Sequence, residues 1–305
     1  MRALVLLFLT TIPAPQLAWS QWTPRRASEL DARIHARVNG FPGHVALLAK
    51  NLKTGAEYGL RPDERVRTAS TIKLPILCAL HDQVAQGKVR WDEELTLTEA
   101  DRVSGSGTLQ VFGEGARVRL RDAANLMIVV SDNTATNLVL GRITAGAVNA
   151  YLEQIGLTQT KSLRKVRGDG AKLKAAQGFA REGRLQEYQR FGLGVSTPRE
   201  MVRLLEMIDA GKIVSEADSR AILDVLHRQQ YKDGIGRRLP EDWVYSKSGA
   251  LDALRADVGL VKTPAGTIAL ALTVDGMPGV DYGPENAGLR LLSDLSRMLV
   301  EELTR

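Results

Sequence analysis

Strand-like patterns lie near both ends of this chain, and the long middle is helical in pattern. Near the start, residues 44–50 (HVALLAK) and 56–60 (AEYGL) are apolar segments separated by a turn-forming sequence. Near the other end, residues 257–263 (DVGLVKT) and 267–274 (TIALALTV) flank a second turn. The pattern predicts one antiparallel sheet that is built from both ends of the chain.

Helical patterns begin and end the chain and also fill its middle. Residues 28–38 and 288–303 place apolar side chains along one helical face, which predicts a helix at each end. The apolar spacing predicts further helices in four middle segments, namely residues 120–130, 147–155, 197–211 and 215–229.

Two of the middle segments carry explicit helix-start signals. Thr197 is a predicted N-cap, Pro198 suits the first helical position, and Glu200 would complete a capping box. Ser215 is likewise a predicted N-cap, with Asp218 three residues later. Both helices should therefore begin at these residues.

Together these elements predict an α/β protein of the α+β type with two lobes in one domain. The sheet lobe would comprise about residues 21–69 and 226–305 with flanking terminal helices, and an all-helical lobe of about residues 70–225 would be inserted between its halves. No tandem repeat or flexible linker interrupts this plan. We expect the ligand site in the crevice between the lobes.

The first twenty residues have the features of a secretory signal peptide. Arg2 precedes the apolar run 3–12, which is about half of the roughly twenty residues that a membrane span needs. Ala18 and Ser20 are the small residues that a cleavage site requires. The sequence predicts removal of residues 1–20 and export to the periplasm or the medium, without stable membrane insertion.

Charge and composition exclude several functional classes. The net charge is +6, and basic residues concentrate in residues 161–184, but aromatic side chains are scarce there, which argues against a nucleic-acid partner. The four histidines stand far apart, and the single cysteine, Cys78, lies in an apolar setting that suggests burial. We expect no metal, no cofactor and a monomer.

A Ser-x-x-Lys motif occurs twice in the chain. Ser70 and Lys73 stand at the head of an apolar helical run, whereas Ser162 and Lys165 lie in a charged stretch without a following apolar helix. In a helix, residues three apart share a face, so a lysine there can take the proton of the serine hydroxyl. This context favours Ser70 as a nucleophile.

Two further triplets carry groups that could serve such a nucleophile. Residues 131–133 (SDN) follow a nearly apolar segment and present a hydroxyl, a carboxylate and an amide. Residues 247–249 (KSG) lie on a predicted strand, where a glycine allows another backbone to come close. Either triplet alone is more often a turn than a site.

In this order and at these distances, the three motifs resemble those of the serine penicillin-recognising enzymes, and in particular of class A β-lactamases. The resemblance covers most of the chain after the signal peptide and implies the two-lobe fold of that family. It implies that Ser70 is the acylated nucleophile and that Lys73 assists its deprotonation. Ser131 would relay a proton to the leaving nitrogen, and Asn133 would hold the amide side chain of the substrate.

The resemblance also implies a substrate-binding strand. Lys247 and Ser248 would bind the substrate carboxylate, with Gly249 beside them, and the backbone N–H groups of the nucleophile and of Ala250 would form the oxyanion hole. Arg255 matches a position where many members supply a guanidinium to that carboxylate. The alternative for Arg255 is a surface arginine on an edge strand.

The chain departs from the family in the loop that carries the water-activating glutamate. Counting forward from SDN places Arg167 in that position, whereas counting backward from the 197–211 helix places Glu182 there, followed by Leu185 and by Gln186 in place of the usual asparagine. The two counts differ by 15 residues (182 minus 167), which indicates an insertion. The polar loop 104–107 (SGSG) replaces an aromatic wall and predicts a more open site.

Three functions remain open at this stage. The first is a serine β-lactamase that uses Glu182 to release its acyl group. The second is a D-alanyl-D-alanine peptidase or slow-releasing penicillin-binding protein of the same fold, acting on a D-alanyl peptide. The third is a non-catalytic module that binds the cell envelope.

Overall fold

A computed structural model describes residues 22–168 and 178–305. The predicted signal peptide lies outside the described residues. The helices are α1 (Pro24–Val38), α2 (Lys73–Ala85), α3 (Leu120–Val129), α4 (Asn133–Ile143), α5 (Ala145–Gln154), α6 (Pro198–Asp209), α7 (Glu216–His227) and α8 (Ala287–Leu303). The strands are β1 (His44–Asn51), β2 (Glu57–Leu60), β3 (Val66–Arg67), β4 (Glu94–Thr96), β5 (Arg117–Arg119), β6 (Lys161–Ser162), β7 (Gly194–Ser196), β8 (Val244–Leu251), β9 (Leu254–Thr263) and β10 (Gly266–Asp275).

Five strands form the main sheet, in the order β2-β1-β10-β9-β8. All neighbours are antiparallel, and β1 from the start of the chain pairs with β10 from its end, so that Val45 lies opposite Val274. This confirms the predicted sheet made from both chain ends. The strand β8, which carries the KSG triplet, is the outermost strand on one side.

Each face of the sheet buries a separate hydrophobic core, because side chains alternate between the two faces of a strand. Leu47 packs with α1 and α8, where Leu30 and Leu295 are fully buried. The next residue, Leu48, packs with the helical lobe, together with Leu74 of α2. Burial of each such side chain contributes about 1.5–3 kcal/mol, so the sheet holds its two helical layers firmly. The predicted fold class is confirmed, but the inserted lobe is not all-helical, because the short strands β4–β7 lie within it.

The predicted helix starts are confirmed, but one detail of the capping box is wrong. The hydroxyl of Thr197 accepts a hydrogen bond from the N–H of Glu200, and that of Ser215 accepts from the N–H of Asp218. The carboxylate of Glu200, however, accepts from the N–H of Gln159 and the hydroxyl of Thr160. A tertiary contact has replaced the expected local one.

The helix α4 was not predicted, because the four middle segments with helical spacing did not include residues 133–143. Asp132 caps this helix, and its carboxylate accepts from the N–H of Ala135 at 2.8 Å. Two of the three SDN residues therefore begin a helix, which holds Asn133 in a defined position. Within residues 22–168 and 178–305, no helix combines the length and apolarity needed to cross a membrane.

Candidate active site

Ser70 lies on a short 3-10 helix, Ala69–Ile72, that runs directly into α2. The side chain is partly exposed, whereas its neighbours Ala69 and Thr71 are buried. Ala69 has a φ of 47°, in the left-handed region that non-glycine residues rarely adopt. Such strain is common at functional sites, and here it precedes the proposed nucleophile.

Gly249 lets β8 approach the segment that carries Ser70. A Cβ atom at this position would lie 2.9 Å from the carbonyl oxygen of Thr68 and 3.1 Å from the backbone nitrogen of Ser70. A side chain of any size would therefore push the strand away. The glycine of the KSG triplet brings Lys247, Ser248 and Ala250 beside the nucleophile.

Lys73 is fully buried and directed at the SDN triplet. Its Nζ donates to the carbonyl oxygen of Ser131 at 2.7 Å, to the hydroxyl of Ser131 at 3.2 Å and to Oδ1 of Asn133 at 2.9 Å. Burial, and then the charge of Lys247, lower the pKa of Lys73 well below its usual value, while Asp132 opposes this shift. A lysine of lowered pKa can be neutral and accept a proton.

Lys247 approaches the same serine from β8. Its Nζ donates to the hydroxyl of Ser131 at 3.0 Å and to the carbonyl oxygen of Ser248 at 2.7 Å. Burial lowers the pKa of Lys247 to about 7, although the nearby Asp257 opposes the shift. Ser131, whose φ is 52°, is thus held between two lysines. This hydroxyl is placed to pass a proton between groups on the two lobes.

The SDN triplet also supports the glycine-containing loop 104–107. The carboxylate of Asp132 accepts from the backbone N–H of Thr108 at 2.6 Å and of Leu109 at 2.8 Å. Asn133 donates from its side-chain amide to the carbonyl oxygen of Ser104 at 3.2 Å. A Cβ at Gly107 would lie 2.2 Å from Asp132, so the loop backbone rests directly on this carboxylate. Asp132 is a positioning residue here.

Sequence reasoning missed Gln229, which is 1 % exposed and lies just after the end of α7. Its Nε2 donates to the hydroxyl of Ser248 at 3.2 Å. The sequence pattern predicts a helix over residues 215–229, and nothing in that pattern distinguishes Gln229 from other helical residues. A glutamine directly after a helix end is by itself too common to signal a site.

Arg255 is buried, with 1 % exposure, on β9, which is an interior strand of the sheet. The interpretation as a surface arginine on an edge strand is therefore wrong. Its Nη1 donates to the carbonyl oxygens of Leu251 and Leu254, each at 2.6 Å, and its Nη2 donates to that of Asp281. The guanidinium also lies 4.8 Å from the ring centre of Tyr282. These contacts direct it to the turn between β8 and β9.

The second Ser-x-x-Lys motif has a different setting. Ser162 is buried on β6, and its backbone N–H and carbonyl are both bonded to the side-chain amide of Asn149 on α5. Lys165 forms an ion pair with Asp101 at 3.2 Å. Residues three apart in an extended segment point to opposite faces, so Ser162 and Lys165 lack the shared face of a helical pair.

The loop after β6 is held at two places. Val166 is bonded through both its N–H and its carbonyl to the side-chain amide of Asn137, at 2.8 and 3.0 Å. Asn137 lies one helical turn beyond Asn133 on α4 and therefore on the same face. Glu182 instead accepts a hydrogen bond from Asn149 on α5 at 2.9 Å. Val166 is thus tied to α4, one turn beyond Asn133, whereas Glu182 is tied to α5.

A model of the beta-lactamase enzyme family matches residues 29–303 of the chain. The crystal structure of a beta-lactamase from Sphaerobacter thermophilus superposes with a TM-score of 0.77 and 28% sequence identity, covering 90% of this chain and 97% of that one. An acyl-enzyme complex of a PBP-A variant with penicillin G gives a TM-score of 0.75 and 26% identity, covering 90% and 96%. The beta-lactamase regulatory protein BlaB of Streptomyces cacaoi is 25% identical, covering 85% and 92%.

Proposed function

Because this chain belongs to the beta-lactamase enzyme family, we propose that it is an exported, monomeric serine hydrolase that opens β-lactam amides through an acyl-enzyme at Ser70. The observation that carries the proposal is the cluster in which Lys73 and Lys247 both donate to the hydroxyl of Ser131. A buried cluster with two lysines is costly for folding, and a catalytic use accounts for that cost.

In the proposed acylation, neutral Lys73 takes the hydroxyl proton of Ser70 as Oγ attacks the β-lactam carbonyl carbon. The C–N bond then breaks, and Ser131 gives its proton to the leaving nitrogen and recovers one from Lys73. The backbone N–H groups of Ser70 and Ala250 would stabilise the negative charge on the carbonyl oxygen. Gly249 supports this role, since its lack of a side chain keeps β8 close to Ser70.

We propose that Lys247 and Ser248 bind the substrate carboxylate and that Asn133 holds the amide side chain. Lys247 supplies a buried cation whose charge is not offset by a direct carboxylate contact among the described residues. Three of the five N–H donors of Arg255 bond to backbone carbonyl oxygens, which limits what it can offer to this subsite. The carboxylate therefore depends mainly on Lys247 and Ser248.

A second candidate function is that of a D-alanyl-D-alanine peptidase or slow-releasing penicillin-binding protein. The observation that favours it is the position of Glu182, which the sequence analysis offered as the water-activating base. Its carboxylate is bonded to Asn149 on α5, whereas the loop residue bonded to α4, one turn beyond Asn133, is Val166, which has no titratable group. Among the similar proteins, a PBP-A variant forms an acyl-enzyme complex with penicillin G. A protein of this kind would be acylated at Ser70 as a β-lactamase is, but it would release the acyl group slowly.

One experiment separates these functions. The mature protein and a Ser70→Ala control are incubated with a chromogenic cephalosporin while the intact mass is followed. Rapid colour with a short-lived adduct supports a β-lactamase, and a persistent adduct on the unsubstituted protein supports the second candidate. Absence of any adduct or colour would overturn both and leave the envelope-binding module.

A further inference from the structure

Gln229 places a buried amide against the strand that would bind the substrate. Its side chain is 1 % exposed and contacts β8 at two neighbouring positions, the hydroxyl of Ser248 and the carbonyl oxygen of Ser246. A buried side-chain amide is costly unless its polar atoms are bonded, so these contacts hold the side chain against β8. No step of the proposed acylation uses Gln229.

The neighbouring backbone groups determine which end of the amide faces Ser248. The N–H of Tyr231 can only donate, and it donates to Oε1 of Gln229 at 3.3 Å. The carbonyl oxygen of Ser246 can only accept, and it lies 3.4 Å from Nε2. With Oε1 bound to a donor and Nε2 to an acceptor, the nitrogen must be the atom that contacts Ser248.

The hydroxyl of Ser248 therefore accepts a hydrogen bond from Gln229. A serine hydroxyl has one hydrogen to donate and two lone pairs to accept with, and this contact occupies one of the lone pairs. The amide nitrogen cannot accept, so the hydroxyl hydrogen must point to another group. Lys247 donates to the backbone carbonyl of Ser248 at 2.7 Å, which holds its cation beside the same residue.

We propose that Gln229 is a positioning residue that commits the hydroxyl of Ser248 to donate its hydrogen to the substrate carboxylate. The inference rests on the proposed function and deepens it by assigning a residue to the recognition of anionic substrates. A hydroxyl that is free to rotate would have to be oriented on binding, whereas this one is oriented beforehand. Because three of the five N–H donors of Arg255 bond to backbone carbonyl oxygens, the oriented hydroxyl carries more of the recognition.

The test compares Gln229→Met and Ser248→Ala, singly and together. The measured quantity is the second-order rate constant for acylation of Ser70 by penicillin G and by its methyl ester, which lacks the anionic carboxylate. We expect Gln229→Met to lower the constant for penicillin G about tenfold, mainly through weaker binding, since a hydrogen bond to a charged group has about this effect. The constant for the ester should change less than twofold.

The double variant distinguishes positioning from a general structural role. If Gln229 acts through Ser248, then Gln229→Met should cause no further loss in the Ser248→Ala background. A further tenfold loss there, or equal losses for the acid and the ester, would overturn the inference. If penicillin G acylates the wild type and the Gln229→Met variant at the same rate, the inference about Gln229 is overturned and the proposed function stands. If penicillin G does not acylate the wild type, both the inference and the proposed function are overturned.

A second substitution guards against misfolding of the methionine variant. Gln229→Glu keeps the size of the side chain, but its carboxylate accepts a hydrogen bond where the amide donates one. We expect the Ser248 hydroxyl to turn towards it, so that acylation by penicillin G falls further than acylation by the ester. Equal reactivity of this variant and the wild type towards both compounds would contradict the inference. Thermal unfolding of each variant verifies its fold.

Discussion

Lys73 and Lys247, on opposite lobes, donate to the same hydroxyl of Ser131 at 3.2 and 3.0 Å. Two buried cations at one oxygen repel each other, so each favours the neutral form of its neighbour. The pKa of Lys73 is lowered by burial and then by the charge of Lys247, and the pKa of Lys247 is lowered by burial. The pair can therefore divide its roles, with one neutral amine and one ammonium.

This division predicts a narrow, bell-shaped pH dependence of acylation. Lys73 must be neutral to accept a proton, so the rate should rise with pH through its lowered pKa. Lys247 must be charged to attract a carboxylate, so the rate should fall above its pKa of about 7. In Lys247→Arg the guanidinium stays charged, and the alkaline limb should disappear. Acylation rates of both proteins from pH 5 to 10 provide the measurement, and an unchanged alkaline limb would refute this assignment.

The buried positive charge of Lys247 should also destabilise the folded state. Because the pKa of Lys247 is lower in the folded than in the unfolded state, the unfolded state binds more protons between about pH 7 and 10. The free energy of unfolding should therefore rise with pH across this window. In Lys247→Met this contribution disappears, and Tm at pH 7 should rise by about 2–4 °C while acylation is lost. A lower Tm would show that the hydrogen bonds of Lys247 outweigh its desolvation.

Gly249→Ala should damage acylation through the geometry of the site. The added Cβ would lie 2.9 Å from the carbonyl of Thr68 and 3.1 Å from the nitrogen of Ser70, so β8 must move away. We expect a loss of at least about 100-fold in acylation rate, since small displacements of reacting groups have such effects. Gly113→Ala is the matched control, because a Cβ there meets nothing within 4 Å. Similar rates for the two variants would rule out the close approach as the cause.

Glu182→Gln should leave acyl release within about twofold of the wild type. The glutamine can still accept the hydrogen bond from Asn149, and the carboxylate that it replaces is held on α5 by this contact. A positioned general base contributes roughly 10²- to 10⁴-fold, so its loss would be obvious. The decay of the acyl adduct, followed by intact mass, is the measurement. A decrease of 100-fold or more would instead identify Glu182 as the water-activating base.

The elements of this fold that depend on neighbouring residues could be predicted from the sequence, whereas contacts between distant residues could not. The terminal helices, the two predicted hairpins and the caps at Thr197 and Ser215 follow from patterns only a few residues long, and the structure contains them. The carboxylate of Glu200, by contrast, binds Gln159 and Thr160, which lie 41 and 40 residues away in the chain. No local pattern encodes such a partner.

By itself, the sequence determined the fold class and the three motifs, because hydrophobic periodicity and short spacings are properties of neighbouring residues. Only the tertiary structure decided how those motifs are used. It brought Lys247 to Ser131, directed Arg255 to backbone carbonyls, placed Gln229 behind Ser248 and bonded Glu182 to Asn149. The physical reason is that a buried polar atom takes whichever partner the packing of distant segments supplies, because leaving it without a hydrogen bond costs free energy.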